Sequence, residues 1–309
     1  MRKQITKTYE AREIYSPFGT VEFLDVGEGI PVLVSHGIMG GWDHGFMIAD
    51  RLLGMGYRLI IPSRFGYLKS SMPGNAAFET QADCFAYLLD ILGIESAAVL
   101  GLSAGGVPAM SFAIKYAEKA TGLILVSTAL QTESAPETRQ TLPTSTKIYQ
   151  WFLKSDFRFR LILRVFPQLV RNLFGVTKEN VAVVAPEEYD FVQLFTKAFL
   201  PVSARYTGWL NDSKNLNLPT TLPIEMITTP TLIISAQDDV LAPHSWSRLL
   251  TDRIPGANLI THTNGGHLIL GNTKTHRNKL RNFIETSRME TSHLNNRTNH
   301  NCRVFTMLV

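Results

Sequence analysis

Cysteine is nearly absent from this chain of 309 residues, with only Cys84 and Cys302 present. Two thiols exclude a disulfide scaffold and a four-cysteine zinc site. Long hydrophobic runs are missing too: no stretch approaches the ~18 consecutive apolar residues that a membrane-spanning helix needs. The opening residues, Met1 to Glu10, are basic but have no apolar segment behind them. That start does not read as a secretory signal. The expectation is therefore a cytoplasmic protein with reduced thiols, Cys84 packed in a helix and Cys302 exposed in a tail. A strong excess of one charge is also lacking, with 30 Lys and Arg against 26 Asp and Glu. The small basic surplus sits at the ends, where Arg2, Lys3, Lys7 and Arg12 outnumber Glu10, and Arg288, Arg297 and Arg303 outnumber Glu290. A nucleic-acid binder concentrates its basic charge on the folded surface, so that class is excluded. What remains is 45% hydrophobic and 18% charged, a globular composition with length for a substantial core.

Short apolar runs alternate with helical patterns from about residue 20 to 284. The runs cover 21–26, 31–35, 57–62, 97–101, 122–127, 231–235 and 257–262. Several are nearly continuous in Val, Ile, Leu and Ala, as in strands buried on both faces of a parallel sheet. Between them, 78–92 places Phe85, Leu88, Leu89 and Leu92 at helical spacing, and 104–119 continues the fourth run as a second helix. This order predicts an α/β fold with a doubly wound, mostly parallel sheet. The rhythm breaks between about 130 and 225. A polar linker, Gln131 to Thr138, opens that stretch, and the pattern inside it is helical. Phe159, Ile162, Leu163, Phe166, Val170 and Leu173 form an apolar stripe opposite Arg160, Arg164 and Arg171, with Pro167 interrupting the helix. The expected organisation is a core over residues 1–285 interrupted by a helical cap at about 130–225. Residues 286–309, rich in Asn, Thr, Arg and His, read as a poorly ordered tail.

The strongest local signal is Gly101-Leu-Ser-Ala-Gly105, between a strand and a helix. A serine at such a tight turn is exposed above the sheet, and small neighbours let backbone approach closely. The following helix start favours negative charge beside the serine oxygen. A serine nucleophile needs a base, and the base an orienting acid. His267, in Asn264-Gly-Gly-His267 after the last strand, leads among eight histidines. His36 reads as a loop organiser, His244 as a solvated cap residue, His262 as a strand end, and His276, His293 and His300 as surface. For the acid, Asp238 and Asp239 both follow the strand 231–235; Asp239 is favoured, four residues before Pro243, while Asp238 would be solvated or cap a helix. Asp212, in the insertion, reads as a helix cap. Glycines in His36-Gly-Ile-Met-Gly-Gly41 can turn amides toward a developing oxyanion, with Ile38 and Ala104 as the backbone N–H donors.

In these motifs the chain resembles the α/β-hydrolase superfamily over about residues 20–285, as an esterase-like serine member with a helical cap. His36-Gly37 is similar to the family's oxyanion loop, Gly101–Gly105 to its nucleophile elbow, Ala236–Pro243 to its acid turn and Gly265-Gly-His267 to its histidine loop. The stretch Ser63–Ser70 departs from the family pattern, with Ser63 at the usual acid and Leu68 at the second glycine. The resemblance implies serine acyl transfer: His267 takes the Ser103 proton, Asp239 fixes the imidazole, and the Ile38 and Ala104 amides hold the oxyanion, with no metal or organic cofactor. A histidine base of ordinary pKa, ~6.5, makes activity fall on the acid side.

The insertion is rich in Phe and Trp, which suits an apolar pocket roof, with Met39, His44 and Trp209 as candidate pocket residues. The expected partner is a small-to-medium hydrophobic ester or related carbonyl compound, not nucleic acid. Two other readings stay open. A hydrolase of C–C bonds in vinylogous diketones would bind its substrate's carboxylate through Arg160, Arg164 or Arg205. A receptor on the same fold would bind a small molecule without turning it over. The stretch 151–174 is basic and amphipathic, but its apolar side is expected to face the core, so no membrane association is expected.

Overall fold

The computed structural model describes residues 9–130, 147–173, 175–182, 184–218, 222–271 and 275–290. The polar linker 131–138, Phe174, and the tail beyond 290 with His293, His300 and Cys302 lie outside the described residues, as does the side chain of Leu173.

The strands are β1 (Arg12–Ser16), β2 (Gly19–Val26), β3 (Ile30–Ser35), β4 (Tyr57–Pro62), β5 (Ala97–Leu102), β6 (Ala120–Val126), β7 (Thr231–Ala236) and β8 (Asn258–His262). They form one sheet in the order β1-β2-β4-β3-β5-β6-β7-β8. Pairing is parallel from β4 through β3 to β8, while β2 runs antiparallel to both β1 and β4. The central strands β5, β6 and β7 are buried at every residue, which is why they read as unbroken apolar runs. Alternate side chains serve two cores: Val32 and Val34 of β3 join one, and Leu33 the other. The edge strand β1 escapes a reading by hydrophobicity because four of its five residues, Arg12, Glu13, Ile14 and Tyr15, are exposed or only partly buried.

Helices α1 (Trp42–Leu53), α2 (Phe78–Ile91), α3 (Gly106–Lys115) and α10 (His244–Arg253) flank the sheet. Between β6 and β7 lie α4 (Lys147–Leu153), α5 (Asp156–Val165), α6 (Pro167–Leu173), α7 (Lys178–Ala182), α8 (Pro186–Ala198) and α9 (Tyr206–Leu216). Pro167 opens α6 as its first residue, where its missing N–H costs nothing. The helix expected over 104–119 is shorter: a 3₁₀ turn, Ser103–Gly105, precedes α3, and a second turn, Ala117–Lys119, follows it. A further helix, α11, covers 275–290 and carries order past the expected boundary at 285, with Ser287 buried.

His276, expected at the surface, is instead buried on α11 with its Nε2 2.6 Å from Nε2 of His262. Burial, then the facing His262, pushes its pKa down to about 3. An unfolded histidine takes its proton near pH ~6.5, so stability is lost as pH falls from there toward 3, where the folded chain still refuses that proton. The melting temperature of His276→Leu is accordingly expected to fall less steeply than that of the parent between about pH 6.5 and pH 4. Parallel pH profiles would contradict this.

Candidate active site

Ser103 follows β5 directly and has a φ of 51°, in the left-handed region. Such a conformation in a non-glycine residue is strained and lifts the side chain off the sheet edge. The turn needs glycine nearby: a Cβ on Gly105 would stand 2.2 Å from the Ser35 carbonyl oxygen. No side chain can be accommodated there.

Three chain segments then converge. His267, in the 3₁₀ turn Gly266–Leu268 after β8, places Nε2 2.9 Å from Ser103 Oγ. Its Nδ1 lies 2.9 and 3.0 Å from the two carboxylate oxygens of Asp239, after β7. Asp239 Oδ1 also accepts the backbone N–H groups of Leu241 and Ala242, at 2.9 and 3.0 Å. Burial alone would raise the Asp239 pKa; the imidazole of His267 and those two amides outweigh it and hold the carboxyl below its ordinary value. The carboxylate is thus charged beside Nδ1, which fixes the tautomer with Nε2 free to accept from Ser103.

The loop after β3 faces the same space. His36 is buried; its Nε2 accepts from the Arg64 N–H at 2.9 Å and its Nδ1 donates to the Gly37 carbonyl at 2.8 Å. Burial holds this imidazole well below its ordinary pKa, hence neutral, and it stiffens the turn into Ile38. Ala104 begins the turn after Ser103, where a first N–H has no carbonyl partner one turn back.

Two buried ion pairs tie this loop to the inserted helices. Arg64, after β4, meets Asp212 of α9 through two hydrogen bonds, one of 2.7 Å from Nη1 to Oδ1. Tyr67 donates to Asp212 Oδ2 at 2.6 Å and accepts the Met39 N–H at 3.3 Å. In the reverse sense, Arg205 of the insertion donates to both oxygens of Asp43 in α1, at 3.1 and 2.6 Å, and to the Gly40 carbonyl. Asp212 is therefore not a helix cap, and Arg205, offered as an anchor for a substrate carboxylate, is taken by Asp43; both side chains are fully buried against opposite charge.

The family model for the α/β-hydrolase fold matches residues 30–272, which contain every residue of this site. The chain belongs to that family. An uncharacterized hydrolase, YcgS, of Bacillus subtilis strain 168 is 26% identical over 259 residues, covering 81% of this chain and 89% of the relative. Lipase 3 of Moraxella sp. strain TA144 is 27% identical over 244 residues, covering 78% of this chain and 72% of the lipase. Among solved structures, an α/β-hydrolase fold protein from Nakamurella multipartita superposes with a TM-score of 0.70 at 26% identity, over 89% of this chain and 99% of that one.

In this α/β hydrolase, the departures from the family pattern at Ser63 and Leu68 are compensated. The Ser63 hydroxyl donates to Glu22 Oε2 at 3.0 Å, so a carboxylate from β2 stands where a serine replaces the acid. Leu68, at a φ of 54°, is held by its N–H to the Ala204 carbonyl of the insertion at 2.7 Å.

The cavity over Ser103 is mostly apolar, lined by the strand ends and by α8 and α9. Met39, His44 and Trp209 all line it, with Phe195, Phe199 and Leu216. His44 is buried against Phe199, ring centroids 4.2 Å apart, and burial lowers its pKa, so it is a neutral wall and not a charge. The sequence reading missed Asp238 as a site residue. Its carboxylate accepts the N–H groups of Gly265 and Gly266, at 3.2 and 2.9 Å, and the Asn180 side-chain amide at 2.5 Å. It is half-buried and is not a helix cap; it holds the histidine loop to α7. A Cβ on Gly266, whose φ is 57°, would stand 2.6 Å from Asn180 Oδ1. The signal available in sequence was the double glycine itself.

Proposed function

We propose that this chain is a serine hydrolase cleaving carboxylic esters of small-to-medium hydrophobic substrates through an acyl-enzyme. The observation that carries the reading is the continuous hydrogen-bonded row Asp239–His267–Ser103 opening into an apolar cavity. Ser103 Oγ attacks the ester carbonyl as His267 Nε2 takes its proton, and Asp239 stabilises the imidazolium. The oxyanion is received by the Ile38 and Ala104 N–H groups, both at the cavity wall. His267 then protonates the leaving alcohol, and water repeats the steps to free the acid. The relationship to a lipase agrees with an ester as substrate.

The C–C reading keeps relatives that are hydrolases of 2-hydroxy-6-oxo-dienoates and a cavity wall that includes Arg51, but loses the anchors expected for it. Of the arginines it called on, Arg205 is paired with Asp43 and none of Arg160, Arg164 and Arg205 lines the cavity. A receptor role would not require a histidine aligned on the serine oxygen, so the receptor reading is not retained.

The deciding experiment is hydrolysis of p-nitrophenyl esters of increasing acyl length. Turnover is expected to peak at short to medium chains, where the acyl group fills the space among Met39, Phe195, Phe199 and Trp209. No turnover on any ester would remove the reading. Asp238 acts through the loop it holds and is a positioning residue. Asp238→Ala is expected to lower kcat about 10²-fold with KM little changed, as small misplacements of a base do. A purely structural role would lower the melting temperature and leave the kcat of the folded fraction intact.

A further inference from the structure

The first helices of the insertion have two apolar faces. One packs inward, where Leu153, Phe159 and Val170 are buried. The other points out: Phe157 is 75% exposed, Leu161 52%, Val165 55%, Phe166 59% and Leu169 52%, with Trp151 of α4 at 53%. Phe166 thus leaves the inward stripe expected of it. Phe157, Leu161 and Val165 are four residues apart on α5 and stand in one row. Exposed Arg160 and Arg164 follow the same spacing beside them, and exposed Lys154 lies one turn before Phe157. Asp156 is the single acid among residues 150–173, and it accepts the Ser203 N–H at 3.0 Å. The outer face is an apolar row edged by cations that its own stretch does not balance.

Charge decides what can cover it. A second copy would set Arg160 and Arg164 against their own counterparts. The chain after Glu290 carries Arg297 and Arg303 and no acid, so it is repelled as well. An anionic partner is required. A protruding row of Phe, Leu and Val flanked by arginine fits the boundary between headgroups and acyl chains, where apolar tips insert shallowly and cations stay with phosphate.

We propose that the outer face of α5 and α6 docks on an anionic lipid surface, with Phe157, Leu161, Val165 and Phe166 entering the boundary and Arg160 and Arg164 on the lipid phosphates. The proposal runs against the expectation of no membrane association, and the vesicle test decides between them. The inference stands apart from the ester reading, because binding is read without turnover.

The test is flotation of the full chain with vesicles of phosphatidylglycerol and phosphatidylcholine, against phosphatidylcholine alone. Binding is expected with the anionic vesicles only, and to be lost at about 1 M salt, where screening acts within roughly 3 Å. Arg160→Glu with Arg164→Glu is expected to reduce partitioning roughly tenfold or more, and Phe157→Ser with Leu161→Ser by about tenfold. Brominated lipid is expected to quench Trp151, with Trp151→Phe as the blank. Each variant side chain is outside the cavity, so unchanged thermal unfolding verifies the fold. The proposal is overturned by equal binding to neutral vesicles, by binding that survives both double variants, or by loss in the charge variant alone with no quenching. It is also overturned if vesicles fail while the chain dimerises through Phe157 and Leu161, or while polyglutamate binds it through Arg160 and Arg164.

Discussion

Replacing Ser103 with alanine is expected to reduce ester turnover by at least about 10⁴-fold while leaving the fold intact. The size follows from what the oxygen does in the proposed reaction. Without Oγ no acyl-enzyme forms, and His267 can at best activate water for direct attack, leaving the oxyanion donors and the apolar cavity to supply what rate remains. The fold should survive because the change removes one atom whose hydrogen bond is to His267, and because the left-handed backbone at residue 103 is no harder for alanine than for serine. Thermal unfolding within about 2 °C of the parent is the expected control. Asp239→Asn should cost about 10⁴-fold for a different reason. An amide in that position can donate toward Nδ1, favouring the tautomer that leaves Nε2 protonated and unable to accept from the serine. Ser103→Ala retaining a tenth of parental activity would refute the assignment.

The parts of this architecture that were legible in sequence are those with local pattern. The central strands β5, β6 and β7 announce themselves because burial at every residue demands apolar side chains throughout, and the tight turn at Ser103 demands small neighbours. The hidden parts are long-range. Arg64 and Asp212 are 148 residues apart, and Arg205 and Asp43 162, so nothing near any of them reveals the pairing. An arginine beside polar residues on a short helix looks solvated until the fold supplies its carboxylate. The helix α5 failed differently. Its Phe157 and Phe159 both belong to four-residue apolar rows, and periodicity alone cannot say which row meets the core. His276 was misplaced because one histidine in a polar terminal helix gives no sign that another, His262, lies opposite.

Those long-range pairs carry the second large effect. Asp212→Ala is expected to destabilise the chain by about 3–5 kcal/mol, a fall in melting temperature on the order of 10 °C. The carboxylate is the counter-charge of a fully buried guanidinium, and Arg64 keeps only the neutral acceptors Gln81 Oε1, at 3.2 Å, and the His36 carbonyl, at 2.8 Å. Activity should fall further than stability alone explains. Tyr67 loses its acceptor, and the Met39 N–H that it receives belongs to the residue next to Ile38, one of the proposed oxyanion donors. The double change Arg64→Met with Asp212→Leu separates the two effects. Removing both charges restores most of the melting temperature, since buried pairs often exchange for apolar residues at little cost. It does not restore kcat, because leucine offers Tyr67 no acceptor and methionine offers the His36 carbonyl no donor. Melting temperatures and kcat for the three proteins, measured on one ester, decide it. Recovery of both quantities together would make the pair a strut alone, whereas recovery of stability without kcat makes the inserted helices part of what shapes the oxyanion loop.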